Sequence, residues 1–344
     1  MFFGNHSLTD SFYKCYQNFN LVEINSFATY FNNRMEKQRQ NLYSWLILVS
    51  LMLVWGSSFI LIKKALLYFD AVEVGILRVT ITFIVLSPFA FRMLPKISRK
   101  MMGYIIISGI IGSFFPAILF AVAQTEIDSS LAGTLNALTP LFTLILGIGF
   151  FGQKTRWYNI IGVFIGLIGA TGLIYASSGL DFVFNLKYAS LIIMATICYA
   201  FNVNWIKVYL HSIDSLTITV LTFFYIGIPL LIYVLFFSAI PGKLTTDPQT
   251  LKGLGYLSLL AVFGTGLALI AFNKLIKVTT PIFASSVTYM IPVVAIIWGI
   301  IDGEVFKPTY LIWFVLIIMG ILLVNTSPRK MFNVGTRLIR GRKG

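Results

Sequence analysis

Ten apolar stretches of about twenty residues follow one another along this 344-residue sequence, separated by short polar links. A helix needs about that many apolar residues to cross the ~30 Å of hydrocarbon in a bilayer. Strands of a membrane barrel would instead give alternating segments of about ten residues. Charged residues make up only 11% of the chain, whereas soluble domains carry roughly 25%. The sequence therefore predicts an all-α polytopic membrane protein with ten transmembrane helices.

The short links predict that consecutive helices are antiparallel neighbours. The Lys and Arg residues in the links predict how the helices are oriented in the membrane, because cytoplasmic loops carry an excess of Lys and Arg. If the N-terminus is cytoplasmic, the basic residues on the outer side are Lys63, Lys64, Lys187, Lys243, Lys252 and Lys307. The other basic residues outside the spans then lie on the inner side, so both termini are predicted to be cytoplasmic. The spans are predicted at residues 43–62, 71–91, 101–124, 129–150, 157–176, 187–206, 214–240, 254–274, 280–300 and 308–327.

Small residues and prolines recur in the same order about 150 positions apart, which indicates an internal repeat. With an offset of 152 positions, Gly112 corresponds to Gly264 and Pro140 to Pro292. Because each copy has five spans, an odd number, the second copy enters the membrane from the opposite side. The ten helices are therefore predicted to form two inverted five-helix repeats. The alternative is an inherited duplication without moving parts.

The repeat divides the chain into four predicted regions. Residues 1–42 form an N-terminal cytoplasmic tail, 43–176 the first repeat, 187–327 the second repeat and 328–344 a basic cytoplasmic tail. The N-terminal tail is polar and lacks the continuous apolar core of a signal peptide. Met35 opens a basic stretch next to the first span, so translation from Met35 is an alternative start that would omit residues 1–34.

Polar groups inside the predicted spans are candidates for a binding site, because lipid penalises them unless they face protein or water. Arg78 in the second span needs a carboxylate, carbonyl groups or an aqueous cavity around its guanidinium. One interpretation is a cation that orients an anionic group in a cavity. The other is a structural arginine held by backbone carbonyls.

An aromatic residue and a hydrogen-bonding residue three positions later share one face of a helix. The first and sixth spans carry such a pair at matching positions, Trp55 with Ser58 and Tyr199 with Asn202. If they face each other across the repeat axis, these pairs would build an amphipathic pocket for a small polar organic molecule. Hydrogen bonding between helices is the alternative.

Pro140 and Pro292 are predicted to bend the fourth and ninth spans, because proline removes a backbone hydrogen bond and frees a carbonyl group. The freed carbonyls would line a cavity together with Asn136, Thr288 and Tyr289. Kinks used only for packing are the alternative.

The fifth span carries a stripe of small residues, Gly162, Gly166 and Gly169. Such stripes let helix backbones approach closely. We interpret it as packing within the chain, with a dimer face as the alternative, so that a monomer is favoured.

No catalytic residue, metal site or cofactor is predicted, because the usual motifs are absent. His6, His211, Cys15 and Cys198 are isolated and give neither a metal-binding spacing nor a disulfide framework. There is no metalloprotease motif and no phosphate-binding loop. The net charge of +14 lies in loops and tails, where membrane orientation explains it better than nucleic-acid binding does. The predicted partners are a small-molecule metabolite and the lipid bilayer, and no enzyme activity is predicted.

From Tyr43 to Asn325 the chain resembles the EamA-type transporters of the drug/metabolite transporter superfamily. The residues that carry this resemblance in the first copy are Trp55-Gly56-Ser57-Ser58-Phe59, Arg78, Pro140, Gly152-Gln153 and the stripe from Gly162 to Gly169. In the second copy they are Pro292, Gly303-Glu304 and Gly320. The resemblance implies two units of five helices and export of amino acids or related metabolites through a central cavity. The chain departs from the family pattern at Gln153, where Glu is usual, and at Tyr199-Ala200, where an aromatic-Gly pair is expected.

The sequence thus predicts a secondary transporter or facilitator in the cell (inner) membrane. It would export a small amphipathic, amino-acid-like metabolite by alternating access. No carboxylate lies at the centre of a predicted span, so proton coupling through a buried acid is not supported. The alternatives are a carrier for nucleobases, sugars or cationic drugs, and a membrane scaffold or receptor that transports nothing.

Overall fold

A computed structural model of the chain describes residue 35 and residues 38–127, 129–178, 186–294, 297 and 308–325. Residues 1–34 of the predicted N-terminal tail, the predicted tail at residues 328–344 and the second elbow, Gly303-Glu304, lie outside the described residues. The chain divides into two compact units, Met1–Leu46 and Ile47–Gly344. In the first unit, the Ser44 hydroxyl donates to the carbonyl of Gln40 over 2.9 Å within a helix. Apart from the beginning of the first helix, the features that follow belong to the second unit.

The described residues contain helices and no strand, as the apolar stretches predict. In chain order the helices are α1 Gln38–Ala65, α2 Ala71–Ala90, α3 Arg99–Ala123, α4 Ser129–Asn136, α5 Thr139–Gly149, α6 Trp157–Ser178, α7 Leu186–Tyr209, α8 Ser215–Phe237, α9 Ile240–Thr246, α10 Thr250–Val278, α11 Pro281–Val294 and α12 Tyr310–Asn325. Six of them, α1, α2, α3, α7, α8 and α10, are long and apolar enough to cross a membrane, and α5, α6, α11 and α12 contain shorter apolar helices. The all-α prediction is confirmed for these residues, whereas ten crossings in two inverted repeats stay a prediction.

Aspartates begin α2 and α8 at positions that the sequence repeat relates to each other. Asp70 caps α2 and forms a capping box with Glu73, whose carboxylate accepts from the Asp70 N–H over 2.9 Å. Asp214 caps α8 and accepts from the N–H of Thr217 over 2.9 Å. Both carboxylates satisfy N–H groups that lack a partner at the start of a helix. Both helices therefore begin after an aspartate, and Glu73 and Thr217 occupy matching positions in them.

Two helices contain a π-helical segment at matching positions. In α3 it covers Ile110–Phe114, and in α10 it covers Leu260–Leu267. A π turn holds one residue more than an α turn and often accompanies a functional site. Both segments include the glycines that the sequence matches at an offset of 152, Gly112 and Gly264.

Close packing of small residues joins the fifth predicted span to the last. The backbone of Gly162 and Gly166 in α6 lies so near Gly320 in α12 that a Cβ added at Gly320 would be 2.5 Å from the Gly166 nitrogen. The prediction that the glycine stripe packs within the chain is confirmed.

Two buried apolar clusters hold the helices around a central space. One contains Ile62, Leu77 and Leu257 and joins α1, α2 and α10. The other contains Phe59, Ile192 and Ile291 and joins α1 to α7 and α11. Because each cluster combines helices from both halves of the sequence, the halves share one interior.

Candidate functional site

A cavity lies between the two clusters, with room of about 100 Å³ for the centres of water molecules. That is several times the minimum of about 10–15 Å³ that a single water needs by this measure. Its wall is built by residues of α1, α2, α3, α4, α5, α7, α10 and α11. A space of this kind accommodates a small molecule and excludes a macromolecule.

Most of the residues proposed from the sequence lie on this wall. They come from both halves of the chain and are Trp55, Ser58, Arg78, Asn136, Tyr199, Asn202 and Thr288. The two aromatic and polar pairs, in particular, line the same cavity from α1 and α7. Pro140, Pro292 and Tyr289 do not line the cavity, and a role for them in binding stays a prediction.

The two prolines do not leave carbonyl groups free. Pro140 lies in the first turn of α5, where the missing N–H costs little. The carbonyl of Asn136, four residues earlier, accepts the Thr139 hydroxyl over 2.6 Å. The carbonyl of Thr288, four residues before Pro292, accepts the N–H of Ile291. Side chains beside the prolines, rather than carbonyls, therefore form this part of the wall.

Tyr289 is fully buried and points away from the cavity toward α6. Its hydroxyl donates to the carbonyl of Val163 over 2.8 Å. Its ring lies against Gly166, where an added Cβ would be 2.6 Å from Cε2. The tyrosine thus holds α11 to α6, although its neighbour Thr288 lines the cavity.

Aromatic rings make up much of the apolar wall. The centroids of Trp55 and Phe272 are 4.9 Å apart in an edge-to-face arrangement, and those of Phe120 and Tyr199 are 5.9 Å apart and stacked. Phe59 contacts Phe120 edge to face at 5.9 Å. These arrangements suit the quadrupoles of the rings. The rings form an apolar surface against which a hydrocarbon or aromatic group packs well.

Arg78 is the cation of the described wall. Its Nε donates to Thr265 Oγ1 over 2.7 Å, and the Thr265 hydroxyl in turn donates to the carbonyl of Leu260 over 3.1 Å. The described residues place no carboxylate within ion-pair distance of the guanidinium. Its remaining N–H groups therefore stay available for an acceptor in the cavity, which favours the binding interpretation of Arg78 over the carbonyl-held one.

Five hydroxyl groups on the wall use their only proton on a backbone carbonyl. Besides Thr139 and Thr265, these are Ser58, which donates to Val54 over 2.9 Å, Ser285, which donates to Ile282 over 3.0 Å, and Thr288, which donates to Ser285 over 3.0 Å. A hydroxyl has one proton and two acceptor lone pairs. These groups therefore offer acceptors to the cavity, in contrast to Arg78, which has only donors.

Asn202 and Ser58 each lie against a glycine of the opposite half. A Cβ added at Gly112 would be 1.9 Å from Asn202 Nδ2, and one added at Gly264 would be 2.8 Å from Ser58 Oγ. Asn202 also accepts from the Ser108 hydroxyl over 2.7 Å. The glycines let α3 and α10 approach these side chains closely.

The wall residues fall into pairs related by the sequence repeat, except for Ile62, Arg78, Val79 and Ser285. At an offset of 144 the pairs are Trp55 with Tyr199, Ser58 with Asn202 and Phe59 with Val203. At an offset of 152 they are Gly112 with Gly264, Ser113 with Thr265, Ala117 with Leu269, Phe120 with Phe272, Asn136 with Thr288 and Thr139 with Ile291. Arg78 corresponds to Thr222, which does not line the cavity.

Thr265, Thr139 and Ser285 were not among the residues proposed from the sequence. The sequence carries a signal for two of the three. Thr139 lies three residues after Asn136, which would put both on one face if the predicted span 129–150 were a continuous helix. Thr265 follows Gly264, a glycine already matched in the repeat. The π segment that turns Thr265 toward Arg78 has no comparable signal in the sequence. The described residues contain no group of three or more His, Cys, Asp or Glu side chains suited to a metal ion.

Comparison with known proteins identifies the family. The sequence matches the EamA-like transporter family twice, over residues 42–175 and 186–326. The chain belongs to this family. It is thus a multi-pass membrane transporter of the drug/metabolite type, as the resemblance implied.

Two relatives are named as transporters, and one solved structure shares the fold. The "Uncharacterized inner membrane transporter YedA" of Escherichia coli strain K12 is 28% identical over 285 residues, covering 81% of this chain and 89% of the relative. An "Uncharacterized transporter" of Archaeoglobus fulgidus is 21% identical over 257 residues, covering 74% of this chain and 88% of the relative. A structure described only as "Crystal structure of protein" has a TM-score of 0.61 at 16% identity, over 84% of this chain and 98% of that chain. This last likeness concerns the fold alone.

Proposed function

We propose that this protein is a secondary transporter or facilitator that exports a small, amphipathic, amino-acid-like metabolite by alternating access. In this proposal residues 43–176 and 187–327 are inverted repeats of five helices, and the cavity between them is the binding site. The protein acts as a monomer in the inner membrane with both termini in the cytoplasm. Transport, rather than catalysis, is its activity.

The paired wall supports the two-repeat mechanism. Matched positions of the two halves contribute Trp55 with Tyr199 and Phe120 with Phe272, and Gly112 packs on Asn202 as Gly264 packs on Ser58. Inverted repeats that exchange their conformations open a midplane site first to one side and then to the other. The double match to the family supports the same division of the chain. The Lys and Arg distribution supports the orientation of the termini.

The observation that carries the substrate class is the division of donors and acceptors on the wall. Arg78 offers donors, which suit a carboxylate. The hydroxyls of Ser58, Thr139 and Thr288 offer acceptors, which suit an ammonium group. The aromatic rings between them suit an apolar side chain. A zwitterionic amino acid has all three features, whereas a cationic drug would be repelled by Arg78 and a sugar would leave it without an anionic partner.

The test is transport in proteoliposomes with a matched set of probes: leucine, leucinamide and N-acetylleucine, and the corresponding phenylalanine compounds. Leucinamide lacks the carboxylate and N-acetylleucine lacks the ammonium group. We expect the amino acids to be carried and both derivatives to be poor substrates. In Arg78→Gln the KM for the amino acid should rise about 10–100-fold, because a hydrogen bond to a charged group contributes about 1.5–3 kcal/mol.

Two further variants separate charge from position. Thr265→Val removes the acceptor that holds Arg78 Nε and should raise the KM less than Arg78→Gln does. Arg78→Lys keeps the charge but loses the planar geometry of the guanidinium, so its KM should lie between those of Thr265→Val and Arg78→Gln. Preferential transport of the amides, or identical kinetics in Arg78→Gln and the unmodified protein, would contradict the assignment. Flux of a nucleobase or a sugar, independent of Arg78, would favour those alternatives, and absence of any flux would favour a scaffold or receptor.

A further inference from the structure

Helices α2 and α8, which occupy matching positions in the two halves, pack against each other. They meet where Gly227 lies against Phe83, so closely that a Cβ added at Gly227 would be 2.2 Å from the Phe83 Cβ. Phe83 and Gly227 are equally far along the chain from the capping residues Asp70 and Asp214, about 20 Å at 1.5 Å per residue. The contact thus divides the helix pair into an Asp70 end and an Asp214 end.

The Asp70 end is tied by an ion-pair cluster between the halves. Lys243 Nζ, on α9 just after α8, is 3.1 Å from Asp70 Oδ2 and 2.8 Å from Glu73 Oε2. A second contact joins Lys243 Nζ to Glu73 Oε1 at 2.9 Å. These hydrogen bonds, chiefly the one with Glu73, raise the pKa of Lys243. The first half is therefore fastened to the second half at this end.

The Asp214 end also has a carboxylate and nearby basic residues, but no ion pair joins them in the described residues. Asp214 bonds to its own helix through the hydroxyl and N–H of Thr217. Within the described ranges it has no ion pair, although the charge of Lys277 acts on it from farther away. The segment after α2, which corresponds to the segment carrying Lys243, holds four exposed basic residues that likewise have no ion pair in the described chain: Arg92, Lys96, Arg99 and Lys100. Lys100 instead lies 5.9 Å from the ring centroid of Tyr104.

We propose that these two ends are alternating ion-pair gates. In the present conformation Lys243 closes the Asp70 end. In the opposite conformation Lys243 releases Asp70 and Glu73, and a basic residue of the segment 92–100 pairs with Asp214. The Phe83–Gly227 contact is the fulcrum, because it is equivalent from both halves and stays in place when their conformations are exchanged. This inference rests on the alternating-access mechanism proposed above.

The carboxylates allow clean tests, because conservative changes remove charge and keep the caps. Glu73→Gln retains the capping box, and Asp214→Asn retains a good N-cap residue. A partly exposed ion pair is worth up to about 1 kcal/mol, so removing one should shift the ratio of the two conformations about fivefold. The shifts should have opposite signs for the two ends.

The experiment uses a single reporter cysteine, Ala117→Cys on the cavity wall, in a chain whose Cys15 and Cys198 are replaced by serine. A membrane-impermeant thiol reagent is added to right-side-out or inside-out vesicles, and the two labelling rates are compared. Glu73→Gln and Lys243→Gln should each raise labelling from the Asp70 side, relative to the other side, about fivefold. Asp214→Asn should lower the same ratio. Lys252→Gln, an exposed lysine that has no ion pair among the described residues, is the matched control and should leave it unchanged.

A charge exchange completes the test. Glu73→Lys and Lys243→Glu should each favour labelling from the Asp70 side, and the two together should return the ratio toward that of the parent. If the reporter is labelled but neither the ratio nor the exchange responds, the gates are wrong while transport stands. If the reporter is labelled from neither side in any variant, with or without leucine, the proposed alternating access is itself refuted.

Discussion

The contact between Gly112 and Asn202 allows one prediction to be worked out from distances. A Cβ at position 112 would lie 1.9 Å from Asn202 Nδ2, 2.3 Å from its Cγ and 3.0 Å from its Cβ. In Gly112→Ala the asparagine amide must therefore move away from α3 and lose its 2.7 Å bond with the Ser108 hydroxyl. The amide is part of the cavity wall, so this movement changes the binding surface.

The energy terms predict a clear loss of stability. The lost hydrogen bond costs about 0.5–1.5 kcal/mol and forced repacking about 1–3 kcal/mol. Alanine in a helix returns about 1 kcal/mol relative to glycine. The net expectation is destabilisation by about 1–3 kcal/mol, together with a rise in the KM for transport.

Thermal unfolding of the detergent-purified protein and flux in proteoliposomes measure the two effects. The matched control is Gly103→Ala, since an added Cβ there has nothing within 4 Å; this variant should be as stable as the parent or more so. Asn202→Ala in the Gly112→Ala background removes two of the three clashing atoms and should recover part of the loss. If Gly112→Ala is as stable as the parent, or if the effects of the two substitutions are simply additive, the contact between Gly112 and Asn202 does not require a glycine at position 112.

Two other predictions concern charged groups at the helix ends. Lys207 Nζ donates to the carbonyls of Ile276, Lys277 and Thr279 over 2.9, 3.0 and 2.6 Å, so Lys207→Met should lower the free energy of unfolding by about 1–3 kcal/mol. Lys63→Met, at the matching exposed position, is the control and should change the unfolding temperature little. Equal losses of stability in the two variants would contradict this prediction. Burial of the Asp214 carboxyl opposes its ionisation, but the hydrogen bonds from Thr217 outweigh burial and lower the pKa of Asp214. The ionised carboxylate therefore stabilises the fold above the usual carboxyl pKa, and this stabilisation is lost as pH falls through the folded-state pKa. Unfolding temperatures of the parent and Asp214→Asn should therefore converge on acidification below about pH 4, and a constant difference down to pH 2 would show that the charge is not responsible.

The sequence predicted the all-α fold because lipid imposes length and composition on each span, but it did not predict the division of residues 129–150 into α4 and α5. Four cavity residues could also be predicted, because a three-residue spacing puts an aromatic and a polar group on one helix face. They are Trp55, Ser58, Tyr199 and Asn202. The freed carbonyls predicted at the two prolines are not observed, and at Pro140 the reason is the position at which a helix begins. Asn136 ends α4, which places Pro140 in the first turn of α5 rather than inside a longer helix.

Other parts of the site depend on long-range packing that local patterns do not contain. Thr265 reaches Arg78 because a π segment changes the register of α10, and no residue in the segment demands it. Tyr289 is adjacent to Thr288 in the chain, yet its ring takes the opposite direction to meet α6. Such orientations follow from which helix lies next to which, and that is settled by the whole bundle.

The contact of Phe83 with Gly227 has a consequence for how such a chain arose. A duplicated gene starts with the same residue in both copies, and a position that faces its own counterpart then meets an identical side chain. Two phenylalanines would collide at this spacing and two glycines would leave a hole. If the two halves are the copies proposed above, they had to become different at this point before their helices could pack as tightly as they do.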